Sequence, residues 1–246
     1  MLGILVFHKI LSTADGDRFT VGYDEFNRII TAVQSHATSL DPAAMAKTTQ
    51  EKPSRLFIPS FDDGTSDHSL LLNMLGNTKG IFFVNTNNIG RGGYMGKEQI
   101  KALFHAGHLI GSHSHNHISL AKQPKEKMRQ EIDRSVKILE DLLGEKVDWF
   151  APPEGNYNDA VIKEAHAVGI KYFRTTDFGW NKLISNDTSI KVLNTFNINK
   201  HFQSLQVEEC LTRKPTYMMY CTAYKTKNLI KKLFPAIYKK VRKASG

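Results

Sequence analysis

Two periodicities alternate along this chain: short apolar runs, and stretches in which apolar residues return every three or four positions. The runs Gly3 to His8, Leu56 to Phe61, Gly80 to Asn85, His108 to Gly111, Asp148 to Phe150, Lys171 to Arg174, Ile190 to Ile198 and Thr216 to Cys221 read as strands. Between them, Tyr23 to Gln34 places Phe26, Ile29, Ile30 and Val33 on one helical face. Lys125 to Leu143 does the same with Met128, Ile132, Val136, Leu139 and Leu143. Shorter helices are expected from Ser69 to Leu75, Lys97 to Ala106 and Ala160 to Val168, and the polar stretch from His36 to Arg55 reads as loop. Strands and helices in alternation predict a mostly parallel sheet or barrel with helices outside. No repeat or low-complexity linker divides the 246 residues, so one domain is expected.

Composition narrows this picture little, being ordinary for a globular protein at 41% hydrophobic and 23% charged. Cys210 and Cys221 match no metal or redox spacing and read as reduced core residues. The segment Met1 to Lys9 has no leading basic residues, no apolar run of signal-peptide length and no small-residue cleavage site. No stretch of about eighteen apolar residues occurs, so the expectation is a cytoplasmic protein without a membrane span. The net charge of +9 suggests nucleic acid until it is located. Lys225, Lys227, Lys231, Lys232, Lys239, Lys240, Arg242 and Lys243 stand together with no acid among them. The rest of the chain is close to neutral, and the positive field belongs to the tail.

Three polar clusters follow apolar strands, where barrels place their working residues. The first is Ser60-Phe61-Asp62-Asp63-Gly64. Two adjacent carboxylates repel unless a cation sits beside them, and a bound cation lets one ligate while the other accepts a proton. The same Asp-Gly pair is also ordinary capping or turn chemistry. The second cluster is Gly111-Ser112-His113-Ser114-His115-Asn116-His117. His113 and His117 are four apart, so a helical turn would project both from one face, with His115 pointing elsewhere. Two His and one Asp make three ligands and leave a fourth position for water, as a catalytic zinc-type site requires; a His-rich surface turn is the plainer alternative. The third is Phe150-Ala151-Pro152-Pro153-Glu154-Gly155-Asn156-Tyr157-Asn158, whose prolines and glycine fix a backbone path suited to aiming an N–H at an oxyanion, or simply a rigid turn.

In this order the three motifs resemble the polysaccharide deacetylase (NodB-homology) family, carbohydrate esterase family 4, over about residues 56 to 180, with Gly-Ile-Phe-Phe-Val as the strand between the first two. The resemblance implies a distorted (β/α) barrel of about seven strands, fewer than the eight of the full barrel. It implies Asp62 as general base, and Asp63, His113 and His117 as ligands of a divalent metal, commonly zinc. Ser114 would brace the histidine loop, and the Glu154 backbone N–H would help hold the oxyanion.

Two departures stand out. Many members carry an Arg where Ala151 stands, and that Arg orients the base. The usual late strand ending in Leu-x-His, source of the general acid, is absent, since Tyr217 to Ala223 holds no histidine. Leu5-Val6-Phe7-His8 has the missing form at the other end of the chain. It resembles the circularly permuted branch of the family and makes His8 the expected acid; a carbonyl-capped core histidine is the plainer reading. In Thr176-Asp177-Phe178-Gly179-Trp180, Asp177 would support His8 and Trp180 would line the acetyl pocket, unless both serve only packing and turn formation.

The expected division is a catalytic barrel over 1–224 and a basic amphipathic helix over 225–246, where Leu229, Ile230, Leu233, Phe234, Ile237, Tyr238 and Val241 oppose the lysines and Pro235 would kink the helix. That face would lie on an anionic membrane at the inner surface, or pack on the barrel. The function expected is removal of the N-acetyl group from an amino sugar in a glycan or lipid-linked precursor. The rivals are an O-acetyl esterase and a non-catalytic glycan-binding barrel. Nucleic-acid binding is disfavoured because the basic tail lacks interleaved aromatic stacking residues.

Overall fold

The structure is a computed structural model that describes residues 1–47, 55–182 and 189–233. Its strands are β1 (Leu2–Phe7), β2 (Lys9–Leu11), β3 (Thr20–Gly22), β4 (Thr38–Ser39), β5 (Leu56–Phe61), β6 (Ile81–Val84), β7 (Leu109–Ser112), β8 (Trp149–Phe150), β9 (Tyr172–Phe178) and β10 (Lys191–Asn197). The α-helices are α1 (Tyr23–Gln34), α2 (Leu71–Met74), α3 (Lys97–His105), α4 (Lys125–Leu143), α5 (Asp159–Val168), α6 (Ser204–Thr212) and α7 (Lys214–Leu233).

Parallel pairing runs β1-β10-β9-β8-β7-β6-β5, and β5 returns to β1, closing a seven-stranded barrel with β4 appended to β5. The period-2 alternation of each strand sorts its side chains between two cores. Leu2, Ile4, Ile58, Ile81, Phe83, Trp149, Tyr172 and Leu193 fill the barrel interior. Leu5, Phe7, Phe57, Phe61, Phe82, Ile110, Phe150 and Phe173 face outward, where the helices cover them. Gly111 lies on the inward series, and any Cβ there would fall 2.5 Å from the Phe83 ring, so glycine is required for that strand to pass.

The helices follow from apolar spacing and their end signals. Met128, Ile132, Val136 and Leu139 bury the inner face of α4, which Gly144 ends in a left-handed conformation at φ 73°. Asn158 caps α5 by accepting the Val161 N–H at 3.1 Å.

The expected strand from Thr216 to Cys221 is instead part of α7. Tyr217, Tyr220 and Tyr224 recur at helical spacing and stack around Phe178 with centroids 5.9–6.3 Å away, so tertiary packing overrides the strand-like composition. Residue 225 consequently falls inside α7 rather than at the start of a new helix. The outer side of α7 exposes Met218, Met219 and Ile230. The tail residues Phe234, Pro235, Ile237, Tyr238 and Val241 lie outside the described residues, as do the side chains of Leu229 and Leu233. No helix among the described residues is long and apolar enough to cross a membrane.

Candidate active site

Following the inward series of each strand toward its C-terminal end changes the chemistry from apolar to polar. Ile4 and Val6 lead to His8, Ile58 and Ser60 to Asp62, Phe83 to Asn85, Gly111 to His113, and Tyr172 to Arg174. Register then decides which of these meet. β1 and β5 pair without a break from Leu2↔Leu56 to Phe7↔Phe61, so the next step sets His8 beside Asp62. His8 Nε2 lies 3.9 Å from Asp62 Oδ2, and the His8 ring packs against Phe19 with centroids 4.7 Å apart. Burial lowers the His8 pKa, against the opposing pull of Asp62 and Asp63.

Arg174, which sequence reasoning missed as a site residue, is fully buried and donates from Nη2 to both Asp62 oxygens, at 2.5 and 2.6 Å. Its guanidinium also sits over the Phe83 ring, 4.9 Å from the centroid. β8 and β9 pair Trp149↔Tyr172 and Phe150↔Phe173, so Ala151 and Arg174 occupy the same level of the barrel. The Arg that the family motif would put at 151 is thus matched by one from the neighbouring strand, with only a methyl group at 151 to share the space. Burial alone would raise the Asp62 pKa, but Arg174, His113 and His8 outweigh it and hold the carboxylate below its ordinary range. The available signal is a lone charged residue on the inward series of its strand.

Asp63, His113 and His117 come together, with ligand-type atoms all within 4.8 Å of one another. Asp63 Oδ1 is 3.4 Å from His113 Nε2 and 3.1 Å from His117 Nε2. The geometry is not the helical turn expected from the four-residue spacing. Ser114 and His117 instead adopt left-handed φ of 62° and 53° in a loop, and Asp63 and Glu154 do likewise at 73° and 58°. All four non-glycine residues with positive φ among the described residues belong to the predicted site, and such strain, about 1–3 kcal/mol each, persists only where surroundings enforce it. The enforcing contacts include Ser114 Oγ, which accepts the His117 N–H at 3.2 Å.

The donor set suits a divalent cation. His113 donates Nδ1–H to the Ala151 carbonyl at 2.8 Å, which leaves the Nε2 lone pair facing Asp63 and His117. Burial would raise the Asp63 pKa, but the close contacts with the His113 and His117 imidazoles outweigh it and hold the carboxylate below its ordinary range. The same Asp63 contact raises the His117 pKa.

Glu131 of α4, also missed from the sequence, anchors the histidine loop from behind. It is 2% exposed, and its two oxygens accept the Asn116 backbone N–H at 2.7 Å and side-chain amide at 2.6 Å. Replacing Glu131 by Ala is expected to weaken metal binding about 10–100-fold, the usual cost of losing an outer support. Metal titration of the folded variant checks this, and unchanged affinity would show that the loop holds itself.

The Glu154 N–H stands apart in its own turn. The amides of Gly155 and Asn156 turn back to Pro152 and Pro153, whereas that of Glu154 has no partner among the described residues. Gly155 is packed so closely on Thr176 that a Cβ would overlap its Oγ1. Two expectations are corrected. Asp177 does not support His8, because Tyr157 donates to its Oδ2 at 2.5 Å and Tyr224 lies 3.4 Å from its Oδ1. His8 Nδ1 has no hydrogen-bond partner among the described residues. Trp180 lies outside the barrel, against Gly3 and Phe196 and under Arg55, because the chain turns back after β9 to bridge Asn181 with Leu2. It cannot line a pocket at the opposite end of β1.

Known proteins agree with this architecture. The chain is 28% identical over 151 residues to the uncharacterized protein YlxY of Bacillus subtilis, covering 60% of this chain and 46% of that one. It is 28% identical over 147 residues to a peptidoglycan-N-acetylglucosamine deacetylase of Bacillus cereus, covering 58% and 65%. The matches thus span less than two thirds of either relative. Among solved structures, the Streptococcus pyogenes deacetylase PplD, in complex with acetate, superposes with a TM-score of 0.72 over 85% of this chain and 98% of that chain; at 21% identity the likeness concerns the fold. The family model described as polysaccharide deacetylase matches residues 47–173, just over half of the chain. It spans Asp62, Asp63, His113, His117 and Glu154 and leaves His8 and Arg174 outside. The chain belongs to the polysaccharide deacetylase family.

Proposed function

We propose that this protein is a metal-dependent deacetylase that hydrolyses the N-acetyl group of an amino sugar within a glycan or glycan precursor. The observation that carries the reading is the placement of an ion-paired Asp62 between the Asp63, His113 and His117 trio and His8. A divalent cation on that trio, with zinc the metal that two imidazoles and one carboxylate favour, would polarise the acetyl carbonyl and acidify a water. Asp62, kept ionised by Arg174, takes the proton of the attacking water. The Glu154 N–H donates to the carbonyl oxygen as negative charge grows there. His8 Nε2 gives its proton to the leaving amine, and the products are acetate and a free amino sugar. Burial lowers the His8 pKa and so makes its protonated form a readier donor. The acid role of His8 is supported by β1, which lies in the barrel ring between β10 and β5 and ends next to His8.

The test measures bound metal and acetate release from N-acetylglucosamine oligomers, beside an O-acetylated sugar. Stoichiometric metal and N-acetyl turnover that disappears with a chelator and returns with zinc are expected. Metal affinity should climb with pH, because the raised His117 pKa keeps a proton on the ligand that the cation must displace. Stoichiometric metal without acetate release would favour glycan binding over catalysis, and faster release from the O-acetyl sugar would favour an esterase.

A further inference from the structure

The chain leaves the barrel at His8. β1 ends at Phe7, and β2 begins at Lys9 in a separate two-stranded sheet with β3, so the main chain changes partners at the residue whose side chain faces Asp62. A side chain at such a junction is aimed only as well as its own carbonyl and the following amides are fixed.

Two side chains just beyond the Asp62-Asp63-Gly64 turn fix them. Asp67 Oδ2 accepts the Ile10 N–H at 2.7 Å. His68, with no exposed surface, hydrogen-bonds through Nε2 to the His8 carbonyl oxygen. Thr65 Oγ1 lies 3.3 Å and Asp67 Oδ2 4.0 Å from the same nitrogen. Three oxygens converge on Nε2 while Nδ1 has no partner among the described residues, so the ring carries its proton on Nε2 and donates it to the His8 carbonyl. Phe61 and Phe82 hold the ring, with centroids 5.7 and 5.9 Å away, and both belong to strands of the barrel wall.

We propose that Asp67 and His68 are positioning residues that set His8 at its working distance from Asp62 by clamping the main chain at the His8 carbonyl and at the Ile10 amide just beyond it. The proposal rests on His8 being the general acid. It makes one continuous segment, 62–68, the source of the base, a metal ligand and the support of the acid. A change in the position of any one of these is thereby carried to the others.

The experiment is a double-mutant cycle read by acetate release from N-acetylglucosamine oligomers. His68→Leu, which suits the aromatic surroundings but cannot donate, is expected to lower kcat about 10–100-fold, the cost of a misplacement near an ångström, with KM and metal content unchanged. His68→Gln, whose side-chain amide donates from a comparable position, should recover most of the loss. Asp67→Ala should fall in the same direction and Asp67→Asn, which keeps an acceptor, should not; this pair carries the test if His68→Leu fails to fold. On a His8→Ala background, His68→Leu should cost nothing further, since residues acting through one another are not additive. Wild-type kcat in both His68→Leu and Asp67→Ala beside an impaired His8→Ala would remove the clamp alone. An equal loss on both backgrounds would do the same. Wild-type kcat in His8→Ala would remove the acid assignment, and the clamp with it.

Discussion

Replacing Asp62 by Asn is expected to lower kcat for acetate release by about 10²–10⁴-fold, the range for a lost general base, without emptying the metal site. The two carboxylates are adjacent in sequence, yet their surroundings separate them. Asp62 is 3% exposed, faces into the barrel and gives both oxygens to Arg174. Asp63 turns the other way on a left-handed backbone and gives Oδ1 to His113 and His117. Asp63→Asn should therefore lose metal and activity together, whereas Asp62→Asn should keep metal and lose turnover. Metal analysis beside steady-state kinetics on the same preparations distinguishes the two. An Asp62→Asn protein with wild-type kcat would end the assignment of the base, and one that had lost its metal would show that the pair works as one ligand set.

Much of this division is legible in the amino-acid sequence, and the site residues that are not depend on contacts between distant parts of the chain. Strand periodicity and motif order place Asp62, Asp63, His113 and His117 at strand ends, because alternation and turn chemistry are local. Arg174, Glu131 and His68 act across 112, 15 and 60 residues of sequence, and only register brings them to their partners. Arg174 sits in Tyr-Phe-Arg-Thr-Thr, which reads simply as a strand; that its side chain reaches Asp62 depends on β8, β9 and β5 being staggered as they are. Thr216 to Cys221 misleads for the opposite reason. Its aromatic content suits a strand, but the spacing of Tyr217, Tyr220 and Tyr224 suits a helix packed on Phe178, and the longer window decides. Asp177 lies near the end of β9 and Trp180 two residues past it, yet the turn after Phe178 carries the tryptophan outside, and two tyrosines take the carboxylate.

The largest effect on stability is expected at Arg174. Arg174→Met keeps an unbranched chain of similar reach over Phe83 but leaves the Asp62 carboxylate buried without its partner, which typically costs about 3–5 kcal/mol. Activity should fall as well, because the carboxylate loses the two hydrogen bonds that fix its orientation and the charge that keeps it ionised. The pH dependence has a definite sign. In the wild type the Asp62 pKa is lowered, so the pair contributes stability that is fully present above the unfolded carboxylate pKa of about 3.9 and is lost as pH falls through the folded value. In Arg174→Met the guanidinium no longer opposes burial, the folded pKa rises, and protonation relieves the penalty. The difference in unfolding free energy between the two proteins should thus be widest near neutral pH and narrow on acidification. Adding Asp62→Asn to Arg174→Met replaces the stranded charge with a neutral amide and should restore part of the stability while leaving turnover lost. Denaturant unfolding across pH, with kcat measured in parallel, reads all of these. A pH-independent difference, or a double variant less stable than Arg174→Met alone, would mean that Arg174 supports the barrel through packing on Phe83 and not through Asp62.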